Sequence, residues 1–313
     1  MQWHSSLNST LGLNKRTIMT QFSKSASFKN QPYDSPIEHV AARVVAFGPE
    51  DTIFVSGSCV RIARNLYLTA RHVLTDFLDK FGYANENANF NIWAIHILQG
   101  PAYAIWAMDS FWLSPHSDLA VFHTCPYNDI AATQPTTPSL GLDLTPPDVG
   151  SRVVGFGYYA SSGQIRIDSS GIRHIEANGT GAATVGEVRE VHEYRRDSYR
   201  LNFPSYRVNA RFDGGMSGGP VTNDRGRLCG IICSNLPPSE EDEEHASYVV
   251  TLWPLMGLSI NVTPSPFGFT EKYYPFIELA KQGIVHVDDL SKIRVNTSSI
   301  KEMYEVKLIN KTT

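Results

Sequence analysis

Short apolar runs, each closed by turn residues, recur along the first half of the chain: residues 39–47 (HVAARVVAF), 52–62 (TIFVSGSCVRI), 65–70 (NLYLTA), 90–99 (FNIWAIHILQ), 103–109 (YAIWAMD) and 119–124 (LAVFHT). They are rich in β-branched and aromatic side chains and too short for globular helices, so they predict strands. Ala63-Arg64-Asn65 is the turn between two of them, and residues 73–81 (VLTDFLDKF) predict a short helix. A second set follows at 152–159, 183–194, 198–212, 227–235 and 247–256. Between the sets, residues 132–148 are rich in proline and threonine and read as a linker. Many short strands and few helices predict an all-β fold of barrels or a sandwich.

The pattern divides the chain into a loosely ordered lead (1–34), a first β unit (35–131), the linker (132–148), a second β unit (149–262) and a C-terminal helix and tail (263–313). The helix is expected over 270–283, with Pro275 in its first turn and Gly283 as its stop. The tail from 284 onward fits no element, and no internal repeat is present.

Charge and composition exclude several classes. The formal net charge is −4 and no basic face stands out, so no nucleic-acid partner is expected. No apolar run is long enough to span a membrane. The first residues lack the apolar core of a secretory signal, and Met19 is an alternative start, so the five Asn-x-Ser/Thr tripeptides carry no meaning without export. The four cysteines (Cys59, Cys125, Cys229, Cys233) read as free thiols in a reducing, cytoplasmic compartment; no metal site and no cofactor are expected. The acidic run at 239–244 reads as a solvated loop, with a calcium site or a steering patch for basic substrates as the alternative.

The chemistry is concentrated at Asp213-Gly214-Gly215-Met216-Ser217-Gly218-Gly219-Pro220. Glycines on both sides of one serine allow a tight, uncovered turn that presents the hydroxyl and lets the Gly215 and Ser217 N–H groups converge on a developing oxyanion. A serine needs a base and a group that orients the base. Upstream, His72 lies in Thr-Ala-Arg-His and Asp118 in Asp-Leu-Ala-Val. Asp109 and Asp143 are the alternative acids. Gly215–Gly219 also fits the nucleophile elbow of α/β-hydrolases, but that motif needs a helix after the serine and its partners downstream. Here Gly218-Gly219-Pro220 follows and the histidine and acid come first.

With these three motifs in this order, residues 35–262 resemble the trypsin-like (chymotrypsin-fold) serine proteases, in a disulfide-free, bacterial-type form. The resemblance implies two six-stranded antiparallel β-barrels, followed here by a short C-terminal helical extension, with His72 and Asp118 on the first barrel and Ser217 on the second. It implies a serine endopeptidase that cleaves a protein or peptide through an acyl-enzyme, with the oxyanion held by the N–H groups of Gly215 and Ser217. Secreted relatives usually carry a cysteine where Val73 stands and often an aspartate where Met216 stands; the second change removes the partner of a freshly cut N-terminus. Arg211 would belong to the floor of the substrate pocket unless it points to solvent, and Cys233, Ser234 and Asn235 would form its wall. The other reading is a catalytically silent or regulatory protein on the same fold, acting as a binding module in a larger assembly, with the termini as contact points for a regulatory partner.

Overall fold

The computed structural model describes residues 28–30, 36–48, 52–81, 91–98, 103–134, 138–167, 169, 173–236, 245–261, 266–270, 273–297 and 304–309. The acidic run at 239–244 lies outside them.

Six antiparallel strands close the first barrel in the order β2-β3-β4-β7-β6-β5. They are β2 (Ala41–Phe47), β3 (Ile53–Ala63), β4 (Leu66–Thr69), β5 (Asn91–Ile97), β6 (Tyr103–Leu113) and β7 (Ala120–Pro126). Period-2 alternation explains why β2 is buried on both faces. Ala42, Val44 and Ala46 join the largest core cluster with Val60, Leu68, Phe77 and Phe122. Ala41 points the other way, into a cluster with Phe156 and Tyr158 of the second barrel, and Val45 packs on Trp93 and Ile95. The helix α1 (Arg71–Phe81) follows β4 directly and begins two residues earlier than the sequence predicts.

The second barrel is closed by β8 (Arg152–Ile167), β9 (Arg173–His192), β10 (Ser205–Val208), β11 (Pro220–Thr222), β12 (Leu228–Leu236) and β13 (Ala246–Val250). They run in the order β9-β10-β13-β12-β11-β8, and the β8–β9 pairing completes the ring. Its core holds Val153, Tyr206, Phe212, Met216, Val221 and Val249. Both barrels are therefore six-stranded and antiparallel.

Several sequence expectations need correction. Part of the lead is ordered: β1 (Phe28–Asn30) pairs with β9. The proline- and threonine-rich segment runs between the two barrels, but part of it is packed. It opens with the helix α2 (Asp129–Thr133), and Leu140, Leu142 and Leu144 are then buried, with Asp143 N–H bonded to Leu228 O (2.8 Å). The run 198–212 yields a strand only at Ser205–Val208. Before it the chain loops, because Asp197 Oδ1 accepts the N–H groups of Tyr199, Arg200 and Leu201. The C-terminal helix is short, as expected, but covers less than 270–283. Tyr274–Pro275 form a strand, β15, against β14 (Ser259–Ile260), and α3 spans only Ile277–Lys281 before Gly283 turns the chain at φ +72°. The unplaced tail contains a hairpin, β16 (Ile293–Thr297) with β17 (Tyr304–Leu308). It packs so closely on the 3-10 turn Trp253–Gly257 that a Cβ on Gly257 would lie 2.1 Å from Val306 Cγ2.

Candidate active site

His72 sits in the first turn of α1, where main-chain N–H groups lack helical partners and favour an acidic acceptor. Asp118 supplies it, from the loop between β6 and β7. Its Oδ1 accepts the His72 main-chain N–H (3.0 Å) and its Oδ2 pairs with His72 Nδ1 (2.8 Å). A carboxylate only accepts, so Nδ1 is the donor and Nε2 is left with its lone pair. The Asp118 loop is itself braced. Arg71 N–H donates to Asp118 O (3.1 Å), Arg71 Nη1 to Ser114 O (2.7 Å), and Ser117 Oγ to Ser114 Oγ (2.8 Å). Desolvation works against a charge on the half-buried His72. The hydrogen bond and charge of Asp118, with Asp76 adding, outweigh it and hold the imidazole pKa above its ordinary value.

Ser217 lies half-buried in a turn built as its glycines foretold. Gly215 and Gly218 have φ of +96° and +84°. Gly218 could carry no side chain on a second ground: a Cβ there would lie 2.0 Å from Ser58 O and 2.2 Å from Thr69 Oγ1. Met216 N–H donates to Asp213 O (3.0 Å), Gly219 N–H to Met216 O (2.9 Å) and Gly218 N–H to Ile232 O (2.8 Å). Met216 is fully buried in the second core, its Sδ accepting the Asp213 N–H (3.2 Å), and fills without charge the position where an aspartate would carry one. Among the described residues none accepts the N–H of Gly215 or Ser217, so both donors remain available. None joins the Ser217 hydroxyl to His72 either; such bonds are commonly long in ligand-free sites.

The barrels touch at this turn. Ser58 of β3 donates its main-chain N–H to Ser217 O (2.8 Å) and its hydroxyl to Gly215 O (3.0 Å). Gly57 permits the approach, since a Cβ there would lie 2.7 Å from Ser217 O. Sequence reasoning missed Ser58. Its one signal was a serine beside a glycine inside an otherwise apolar run.

A cavity of about 610 Å³ lies over the histidine, lined by His72, Asp118, His116, Phe203, Cys233 and Ser234 among others. Cys233 is buried, its thiol bonded to Tyr248 O (3.3 Å), while Ser234 is half-buried. Asn235 contributes main chain paired with Ser247. Arg211 does not line this cavity. It is exposed, doubly bonded to Asp213 (2.7 Å each), and lies over the Phe28 ring at 4.6 Å. The bidentate carboxylate and the aromatic face occupy the guanidinium, which is why it is not a pocket floor. The alternative acids are also committed elsewhere, Asp109 to His123 (2.8 Å) and Asp143 to Asn223 (2.9 Å) and Arg225. All four cysteines are free, with Cys59, Cys229 and Cys233 buried. Burial pushes their thiol pKa values up, that of Cys229 to about 12. No group of side chains among the described residues could hold a metal ion.

The cavity continues. A second space of about 590 Å³ shares Pro115, His116 and Asn202 with the first and runs to Trp253, Leu258 and Val306. Among the described residues no helix is long and apolar enough to cross a membrane.

Residues 57–231 match the profile of the trypsin-like peptidase domain. No curated protein matches the sequence. Solved structures similar to this chain include the Rv3671c protease from M. tuberculosis in its active form, at 18% identity and a TM-score of 0.41 over 74% of this chain and 87% of that one. The inactive form of the Rv3671c protease gives 19% identity and 0.41 over 71% and 91%.

Proposed function

The chain belongs to the trypsin-like peptidase family, and from that premise we propose that it is a serine endopeptidase working through His72, Asp118 and Ser217. The observation that carries the reading is the His72 ring, fixed by Asp118 at Nδ1 with Nε2 free, in a cleft, while Ser58 ties the serine turn to the strand that leads into that histidine. Nε2 takes the Ser217 proton as Oγ attacks the peptide carbonyl, and Asp118 stabilises the imidazolium. The carbonyl oxygen becomes an anion facing the N–H groups of Gly215 and Ser217. Collapse breaks the C–N bond, the imidazolium protonates the leaving amine, and water then hydrolyses the acyl-enzyme by the same route. No cofactor enters these steps.

A protein or peptide is the substrate class that the peptidase family match supports, and the adjoining cavity leaves room beyond the His72 cleft. Cys233 and Ser234 form part of the wall. Four free thiols suit a reducing compartment such as the cytoplasm. The test is turnover of denatured casein. Ser217→Ala lowers kcat by a factor on the order of 10⁴–10⁶ with an unchanged melting temperature; a variant that keeps its turnover would show that another residue is the nucleophile.

A further inference from the structure

Ser58 is fully buried in β3, and each of its polar groups is engaged. Its N–H donates to Ser217 O (2.8 Å) and its Oγ to Gly215 O (3.0 Å). The same Oγ accepts the Tyr158 N–H of β8 (2.9 Å), and its carbonyl accepts from Thr69 Oγ1 (2.7 Å). One residue of the first barrel thus grips the serine turn twice, the second barrel once, and the strand end that leads into His72 once.

The two carbonyls held by Ser58 belong to Gly215 and Ser217, the residues whose N–H groups would face the oxyanion. A turn with Gly215 at φ +96° has wide conformational freedom of its own. Met216, buried and uncharged, adds packing but no ion pair to hold it. Donors stabilise a developing charge only when they are fixed before it develops. We propose that Ser58 is the positioning residue that fixes these two donors, and that it links their placement to that of His72 through Thr69. This rests on Ser217 being the nucleophile.

The experiment uses phenylboronic acid beside casein turnover. In the boronate complex Ser217 Oγ bonds to boron, the hydroxyl proton passes to His72 Nε2, and a boron-bound oxygen of the tetrahedral anion occupies the oxyanion position. Ser58→Ala removes the hydroxyl bond to Gly215 but keeps the main-chain bond to Ser217. The expected result is a fall in kcat of roughly ten- to a hundredfold, below the loss of a whole oxyanion donor. KM stays close to that of the parent protein, and affinity for phenylboronic acid weakens by a similar factor. Ser58→Cys, similar in size but a weak donor, gives a loss in the same direction if the alanine variant folds poorly. Unchanged kcat and boronate affinity alongside a lower melting temperature would make Ser58 a packing residue and overturn the proposal. Failure of the parent protein itself to turn over casein and to bind the boronate would instead remove the serine reading on which it rests.

Discussion

On the proposed mechanism His72 is the base and works only when neutral, so its pKa sets the acid limit of the reaction. Asp118 and Asp76 together hold that pKa above the ordinary 6.5 against the opposing effect of burial. The sign follows directly: as pH falls through the raised value, Nε2 is protonated and activity is lost. A profile of kcat/KM against pH should show an acid limb with its midpoint above 6.5. In Asp118→Asn the limb moves down, and activity falls by about 10⁴ as the ring loses its enforced tautomer. An acid limb well below 6.5 in the parent protein, or an Asn variant of near-normal activity, would mean that Asp118 does not govern His72. At this scale the pairing of His72 with Asp118 and the glycine turn around Ser217 were legible because each sits in a short, distinctive motif. Ser58 was not, because a small hydroxyl in a strand reads the same whether it faces solvent, a neighbouring strand or a catalytic turn. Arg211 was misleading for the same reason: its partners Asp213 and Phe28 become neighbours only through folding.

Among the elements, the seam between barrels holds the most unusual charge. Glu38, in the 3-10 turn Pro36–His39, is buried against Tyr158 of β8, whose hydroxyl donates to its Oε2. Burial raises its pKa to about 7, though the Tyr158 bond and Arg43 pull the other way. Below pH 4.5 the carboxyl is protonated folded or unfolded. Between 4.5 and about 7 the unfolded chain gives up the proton and the folded one keeps it, so stability falls as pH rises through that window. The loss amounts to about 3 kcal/mol and levels off above it. Glu38→Gln should remove this slope, which urea unfolding on both sides of the window measures; an identical slope in the variant would place its origin elsewhere. The strands of the first barrel were readable because each is a compact apolar run ended by polar turn residues. The hairpin β16–β17 was not, since its strands are half-polar and bury one face only against Trp253–Gly257. Pro275 misled in the other direction: it suits a first helical turn, but here it pairs in a strand beside Ser259.

On the scale of the whole molecule, the two barrels share buried clusters that run across their junction, and the proposed reaction centre lies there. The first carries His72 and Asp118, the second the serine turn, and Ser58 and Gly57 set how closely the two approach. That division into halves was visible in the sequence, yet the junction was not, because the contacts that make it are single bonds and small apolar clusters between residues far apart in the chain. The linker shows the same limit: its prolines and threonines marked a connection, but nothing in their pattern showed that Leu140, Leu142 and Leu144 would be buried. Reaction with a fluorophosphonate, followed by intact-mass and peptide mass spectrometry, tests the central claim most directly. The account predicts a single adduct on Ser217 of the uncut chain, absent in Ser217→Ala and greatly slowed in His72→Ala. An adduct elsewhere, or none on a folded protein, would contradict it.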